Sequence, residues 1–374
     1  MGPGEPAIVS PEYGSGSLAD VVPSAVAALG IDGWSNPLRL PGAASYVVLL
    51  VDGMGWNLLR RNRVRAPYLI RLADRGRSIT AGVPSTTATS LTSLGTGLPP
   101  GSHGVVGFTS RIPGTNRLLD ALRWDSRVDP LEWQPRTTAF ERAARAGVPV
   151  TVVSKRMFES SGLTRAGQRG ARYLGADLPG ERIAAVVAAT RVTGSLTYVY
   201  DAELDTTGHR NGCRSLAWEY QLATVDAFAA RLRDAMPEES ALVVVADHGM
   251  VDVAPEGRVD VDLEPGLLAG VSLFGGEARF RHLYCEPGAV DDVVARWQQR
   301  LGAGAVVVTR DSAVADGWFG AVEPTVLDRL GDVMVASVGA VAVVSSVRFA
   351  HEAKLVGLHG SLTPDEMLIP LLVS

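Results

Sequence analysis

The sequence predicts an α/β protein, with a mostly parallel central sheet, helices on both faces and a smaller inserted α+β cap. Two observations predict it. Short β-branched runs alternate with longer helical patterns, the rhythm of strand–helix–strand units. Those runs are apolar at nearly every position rather than every second one, as expected when both faces of a strand are buried. Strands are expected at Tyr46–Val51, Val148–Ser154, Leu196–Tyr200, Leu242–Ala246, Ala305–Thr309 and Val341–Ser345. A last strand is expected at Leu368–Val373, where Pro370 argues for a sheet edge. The clearest helix runs from Arg214 to Met236, with Leu222, Val225, Ala229, Leu232 and Met236 on one stripe. Thr138–Ala146, Arg182–Thr190 and Ala289–Leu301 are further helices. Val105–Ile112 and Asn116–Trp124 flank Pro113-Gly114-Thr115 and read as a hairpin. Phe280–Cys285, Ala289–Leu301 and Ala305–Thr309 form a strand–helix–strand unit that reads as an insertion. The division is therefore a core of residues 1–255 and 337–374 with a cap of residues 256–336.

Composition narrows the classes. The 374 residues are 46% hydrophobic, enough for a large core and too apolar for a disordered or fibrous chain. Thirty-five basic residues stand against 40 acidic ones, so no basic excess is present to grip a nucleic-acid backbone. Cys213 and Cys285 stand alone, without a CxxC pair, which excludes a disulfide framework and a zinc knuckle and fits a reducing cytoplasm. Met1-Gly2-Pro3-Gly4-Glu5 does not open a secretory signal. The longest apolar run, Val333 to Val347, is broken by Gly339 and three serines and falls short of the roughly 20 residues a bilayer span needs. Buried strands explain it, and a cytoplasmic protein without a membrane partner is expected. Oligomeric state is not legible.

The informative feature is where acids and histidines fall. In open α/β sheets functional groups gather just past the carboxyl ends of strands. Asp52-Gly53 follows the Tyr46–Val51 run; Asp201, Asp205 and His209 follow Leu196–Tyr200; Asp247-His248-Gly249 follows Leu242–Ala246. Val341–Ser345 leads through a loop to Leu358-His359-Gly360. One Asp after a strand is usually a turn former, and one His a satisfied polar group. Four strand ends in agreement favour ligands. Three Asp (52, 205, 247) and three His (209, 248, 359) suit two divalent metal ions. Mixed oxygen and imidazole donors point to zinc, with manganese or iron as alternatives. His103, His282 and His351 do not follow strands in this way and are expected to be structural.

A second constellation is Val83-Pro84-Ser85-Thr86-Thr87-Ala88-Thr89-Ser90-Leu91, running into Gly95-Thr96-Gly97. A strand, Ser78–Val83, ends at Pro84 and a helix begins near Thr87 or Ala88. A hydroxyl there faces free backbone N–H groups and the positive end of the dipole, which suits an anionic phosphoryl group. Ser and Thr are also the preferred helix caps, so a capping role is the plain alternative. The run lacks the Lys and the spacing of a P-loop.

Together these residues resemble the nucleotide pyrophosphatase/phosphodiesterase branch of the alkaline phosphatase superfamily, from Tyr46 to the C-terminus. The resemblance implies that Asp205 and His209, within Asp-Thr-Thr-Gly-His, and His359 hold one metal ion. It implies that Asp52, Asp247, His248 and the nucleophile hold the other. Thr87 is that nucleophile because the family places it three residues after a proline, here Pro84. Thr96-Gly97, nine residues beyond, and Ser102-His103-Gly104 also fit the family's pattern. Two features depart from it. The family's best-known members carry an Asn shortly after this His-Gly, to bond a nonbridging phosphate oxygen. Here that stretch reads Val105-Val106-Gly107-Phe108. The residues after the nucleophile, Ala88-Thr89-Ser90, also differ, and both changes leave the preferred substrate open. The segment Leu358 to Met367 is similar to the cofactor-independent phosphoglycerate mutase branch. No Cys/Ser-x-Pro-x-Arg sequence of the sulfatase branch stands at the nucleophile.

The implied activity is a metal-dependent hydrolase of phosphodiester or pyrophosphate bonds, acting through a phosphothreonine on Thr87. The metal ions would stabilise the Thr87 alkoxide and the leaving oxygen. Its substrate would be a small-molecule phosphoester, with nucleotides among the candidates. The alternative is a phosphomonoesterase or phosphomutase on the same two-metal site, the mutase handing the phosphoryl group to another hydroxyl. A catalytically silent binding protein would have lost at least one of the seven site residues, and all seven are present. Phe108, the hairpin ending at Trp124 and the 256–336 cap are candidates for the leaving-group pocket.

Overall fold

The computed structural model describes residues 8–374, so the Met1–Glu5 stretch lies outside the described residues. Seven strands form the central sheet. Across it they run Arg77–Thr80, Leu368–Val373, Ser240–Val245, Ser45–Val51, Leu196–Asp201, Val150–Ser154 and Arg172–Gly175. The last five are mutually parallel. Every residue of Ser45–Val51, Leu196–Asp201 and Ser240–Val245 is buried, because helices cover the sheet on both faces. That is the origin of the uninterrupted apolar runs.

Register does the work of aligning the site. Leu50 pairs with Val245 and Val51 with Asp201, so the three central strands end level. Asp52 and Asp247 each lie two residues beyond the Leu50–Val245 pair and so emerge at equal depth. Gly53 turns the chain away at once, with a left-handed φ of +74°.

Two expected strands lie elsewhere. Leu368–Val373 is not an edge: it runs antiparallel between Arg77–Thr80 and Ser240–Val245. Pro370 is tolerated because the ladder to Ser240–Val245 engages only Leu371–Val373, leaving Pro370 with a neighbouring strand on one side only. Val341–Ser345 does not join the central sheet. Its ordered part, Ala342–Val344, pairs with Arg258–Asp260 in a two-stranded ribbon packed on Val253, Ala278 and Leu358. An apolar run buried on both faces reads alike whichever layer buries it. The strand expected at Ser78–Val83 is shorter, Arg77–Thr80, and Val148–Ser154 begins at Val150.

The helices follow their caps. Ser215 accepts from Trp218 N–H at 3.1 Å and starts Leu216–Ala235, while Thr138 and Glu141 form a capping box on Ala139–Arg145. Pro179 opens the helix expected at Arg182 three residues earlier. The hairpin is present with a short ladder, Thr109–Arg111 on Leu118–Asp120.

The cap is a four-stranded antiparallel sheet, ordered Val271–Glu277, Phe280–Cys285, Val333–Ser337 and Ala305–Thr309. Helix Val290–Leu301 covers it through Val293 and Trp297, which pack with Phe274, Leu283 and Val335 as a separate small core. Ala305–Thr309 therefore belongs to the cap sheet rather than the parallel one. A buried ion pair ties cap to core: Arg279 donates to both oxygens of Glu366, at 3.0 and 2.6 Å. Truncating either partner would strand a buried charge, which typically costs about 3–5 kcal/mol. Among the described residues no helix is long and apolar enough to cross a membrane.

Candidate active site

Six of the seven candidate residues converge in two groups, and Thr87 lies beside the first. Ligand-type atoms of Asp52, Asp247 and His248 lie within 4.8 Å of one another, as do those of Asp205, His209 and His359. The groups adjoin, because the His248 and His359 rings stack with centroids 3.6 Å apart. Asp52, Asp247 and His248 come directly off two adjacent central strands. Asp205 and His209 sit one turn apart on one face of helix Glu203–Asn211. His359 follows the short strand Gly357–Leu358, which pairs with Val251–Asp252, and not the Val341–Ser345 run. Gly249 is required for contact: a Cβ there would meet the Asp365 carbonyl oxygen at 1.9 Å. Gly208 lies within the helix and serves packing rather than a turn, facing Met250.

Thr87 is the first residue of the buried helix Thr87–Thr96. The N-cap position belongs to Thr86, and its side chain makes no capping bond. The Thr87 hydroxyl instead lies 3.2 Å from His248 Nε2, facing the first group of ligands. The helix is held by Ser90 Oγ, which donates to the Asp247 carbonyl at 2.8 Å. Before it, Ser85 N–H donates to Gly360 O at 3.0 Å and Ser85 Oγ to Ser361 O at 2.6 Å. The nucleophile loop and the His359 loop are therefore bound to each other.

The donor chemistry can be tested against a cation. His209, His248 and His359 each direct Nδ1 at a backbone carbonyl, of Gly357 at 2.7 Å, Gly249 at 2.9 Å and Ser85 at 3.0 Å. A carbonyl only accepts, so Nδ1 carries the proton and Nε2 is left as a lone-pair donor. Those Nε2 atoms lie beside the carboxylates, His248 at 3.4 Å from Asp52 Oδ1 and 3.3 Å from Asp247 Oδ2. His209 Nε2 lies 3.3 Å from Asp205 Oδ2. Asp52 Oδ1, Asp247 Oδ2 and Asp205 Oδ1 are buried with no hydrogen-bond partner. Their sister oxygens are anchored in two cases: Tyr200 donates to Asp52 Oδ2, and the Gly53 and His248 N–H groups donate to Asp247 Oδ1 at 3.0 Å. Burial and the charges of Asp247 and Asp205 push the Asp52 carboxyl well above its ordinary range. Burial also raises Asp205, and burial beside His248 and His359's other neighbour His209 holds His359 well below the usual imidazole range. Orphaned oxygens, bare Nε2 atoms and crowded like charges are what a divalent cation in each group would resolve. The residues fit.

A cavity of about 720 Å³ opens at the second group, lined by Thr87, Asp205, His209 and His359 together with Phe108, Leu118, Leu122 and Arg123. Phe108 and the hairpin thus line it, whereas only Glu277 and Ala278 of residues 256–336 do so. The stretch Val347–Glu352 closes a further side. His103 and His282 are buried structural residues. His103 pairs with Ser93 Oγ and Val105 N, His282 with Val106 O and Gly331 N, and burial pushes them down to about 3 and about 4. His351 is exposed at the cavity mouth. Asp201, at a strand end, turns away from both groups to Arg182 at 2.8 Å. Tyr200 and Glu277 escaped the sequence reading. A tyrosine inside an apolar strand carries no sign of its partner, and Glu277 acquires its place only when the cap folds over the core.

A sequence model of the type I phosphodiesterase/nucleotide pyrophosphatase family matches residues 46–362. No curated protein sequence matches. Among solved structures, murine ectonucleotide pyrophosphatase/phosphodiesterase 5 is similar at TM-score 0.68 and 17% identity, covering 87% of each chain. An inactive variant of that protein in complex with AMP is similar at TM-score 0.67 and 16% identity, again over 87% of each chain. Phosphonoacetate hydrolase from Sinorhizobium meliloti 1021, in complex with phosphonoformate, gives TM-score 0.67 at 20% identity over 89% of this chain and 90% of its own.

Proposed function

The chain belongs to the type I phosphodiesterase/nucleotide pyrophosphatase family, a family of phosphoester hydrolases, and on that premise we propose a two-metal hydrolase of phosphodiester or pyrophosphate bonds. The carrying observation is the pair of adjoining three-residue groups with unpartnered carboxylate oxygens, together with the Thr87 hydroxyl 3.2 Å from His248 Nε2. Asp205, His209 and His359 would hold one ion, and Asp52, Asp247, His248 and Thr87 the other. The mixed donors favour zinc, with manganese or iron as alternatives. Bound there, divalent ions would lower the effective pKa of the Thr87 hydroxyl and offset charge on the attacking and leaving oxygens.

Thr87 supplies the nucleophile. Its Oγ bonds to phosphorus as the bond to the leaving oxygen breaks, forming a phosphothreonine that water then cleaves. The buried helix Thr87–Thr96 would fix the direction of attack by holding the Thr87 hydroxyl at the cavity wall. Arg123, Arg210 and Arg348 line the cavity, and among the described residues neither Arg210 nor Arg348 has a carboxylate within 4.0 Å. That supports a leaving group with its own negative charge, as in a nucleotide or pyrophosphate. The same cations suit the phosphomutase reading, in which a second anionic group of the substrate is held while the phosphoryl group moves. Glu277 and Ala278 in the cavity wall support a cap of residues 256–336 on a catalytic core. Free Cys213 and Cys285 suit a reducing cytoplasm.

The test is a turnover screen of purified protein, loaded with zinc or manganese, on aryl phosphodiesters, aryl phosphomonoesters, nucleotides and sulfate esters. Phosphodiester or pyrophosphate cleavage is the expected result. A preference for phosphomonoesters would favour the alternative, and sulfate esters alone would overturn both.

A further inference from the structure

A buried cation anchors the helix that carries two of the three ligands in the second group. Helix Glu203–Asn211 bears Asp205 and His209, yet its own sequence is a poor helix former. Thr206, Thr207 and Gly208 fill its middle, and both threonine hydroxyls bond back to carbonyls four residues earlier, at 3.0 and 2.8 Å. At nine residues it is too short to be stable without support. Ala202, at the N-cap, supplies no side-chain cap.

Arg182 supplies the support. It lies near the start of Pro179–Thr190, a helix packed on strands Leu196–Asp201 and Val150–Ser154, and its side chain is 1% exposed. The guanidinium donates to Asp201 Oδ2 at 2.8 Å and Glu203 Oε1 at 3.0 Å, and to the Ala176 and Asp177 carbonyls at 3.2 Å each. The two carboxylates in turn hold the start of the ligand helix. Asp201 Oδ1 accepts from Glu203 N–H at 3.3 Å, and Glu203 Oε2 from Ala202 N–H at 3.0 Å. Lys155 Nζ lies 3.0 Å from the Glu203 oxygen that Arg182 also holds. The far end of the helix is tied separately, His209 Nδ1 to Gly357 O and Val356 N–H to His209 O, each at 2.7 Å. The first group does not depend on this lock: Asp52 N–H donates to the Asp201 carbonyl at 2.9 Å, in line with the backbone ladder rather than through a side chain.

We infer that Arg182 is a positioning residue for the second ligand group: by fixing Asp201 and Glu203 together it sets the angle at which helix Glu203–Asn211 presents Asp205 and His209 to a divalent cation. The inference rests on the reading of that group as an ion site. The planar fork is what the position requires, since one guanidinium meets two carboxylates and two carbonyls at once, whereas an ammonium offers three donors from a single point. Partners behind the ligands of a metal ion typically govern its affinity by about 10–100-fold.

The test titrates zinc alone, by equilibrium dialysis against a competing chelator, into the full chain carrying Arg182→Met together with Asp201→Asn. The paired change strands no buried charge, because Glu203 keeps Lys155. It is made in two backgrounds: Asp52→Asn, where the second group supplies the tighter site, and Asp205→Asn, where the first does. Zinc should bind about 10–100-fold more weakly in the Asp52→Asn background and within about threefold of the background value in Asp205→Asn. A role in folding alone would weaken both alike. Glu203→Ala probes the same lock without touching the buried pair, and should also weaken zinc only in the Asp52→Asn background. Alanine is the better helix former, so that loss cannot come from propensity. Equal losses in the two backgrounds, or a loss below about threefold in Asp52→Asn, overturn the inference. Should the paired variant not fold, Glu203→Ala decides by the same criteria. A parent that binds no zinc would remove the two-ion reading and this inference with it, whereas a two-ion parent whose variants keep their affinity removes only the positioning role.

Discussion

The two ligand groups have nearly the same composition and opposite surroundings. Asp52, Asp247 and His248 have side chains no more than 3% exposed, whereas those of Asp205, His209 and His359 are 9–22% exposed and face the cavity. The first group stands on the ends of two central strands beneath helix Thr87–Thr96. The second stands on a marginal helix and a loop. Burial makes the first group intolerant of uncompensated charge, so on the proposed reading an ion there would serve structure as well as chemistry. On the same reading, an ion held by the second group would exchange more readily and meet the leaving oxygen of a substrate. The Thr87 hydroxyl lies against the sealed group, 3.2 Å from His248 Nε2, and shares the cavity lining with the second.

The largest effect expected is at that boundary. Thr87→Ala should reduce kcat by on the order of 10³-fold or more while metal content and Tm barely change, because the hydroxyl supplies reactivity rather than packing. Thr86→Ala should be far milder and Thr87→Ser partly active. Turnover of Thr87→Ala within tenfold of the parent would show that the reaction does not pass through a covalent step on Thr87.

Removing a carboxylate should separate the groups. Asp52→Asn should cost one metal equivalent and Asp205→Asn the other, each with about 10²-fold or greater loss of turnover. Elemental analysis of the two variants, alone and combined, reads this directly. A parent that binds only one ion under saturating loading would collapse the distinction.

Chelation kinetics sharpen it further. Metal loss to excess chelator should be biphasic, with the open group emptying first. Asp205→Asn or His359→Ala should erase the fast phase and Asp52→Asn the slow one. A single phase in all variants would mean that exposure does not govern exchange.

The smallest effect concerns stability without metal. The folded-state pKa of Asp52 is raised by burial and by Asp247 and Asp205, so the folded protein holds more protons than the unfolded one. Its metal-free stability should then fall as pH rises above the ordinary carboxylate range. Asp52→Asn removes that cost and should raise the metal-free Tm at neutral pH by about 2–4 °C, while lowering it in the loaded protein. His209→Ala, at the more open group, should change the metal-free Tm by less than about 2 °C. Equal shifts in both variants would remove the contrast between sealed and open groups.

The α/β class, the six residues gathered in two groups and Thr87 beside them were legible in the chain. Hydrophobic runs of strand length declare burial on both faces, and an Asp or His placed just after such a run is carried to the sheet edge by chain direction alone. The route of His359 was misread, since Val341–Ser345 carries the same apolar signal as a central strand but is buried by the ribbon and cap. Likewise Pro370 signalled an edge, and only the staggered end of the neighbouring ladder shows how it sits inside the sheet.

Local sequence therefore determined which residue types arrive at the sheet edge, because strand burial and chain direction are properties of a few consecutive side chains. Tertiary structure alone decided their partners: Nδ1 of His209 and of His359 on distant carbonyls, Tyr200 on Asp52, Arg279 on Glu366, and Glu277 sealed into the cavity wall. Glu277 and Thr86 are far apart in the chain and meet only when the cap closes on the core. A carboxyl group's charge, proton and hydrogen bonds are set by the atoms that exclude water from it, and those atoms come from segments whose sequence carries no mark of the meeting.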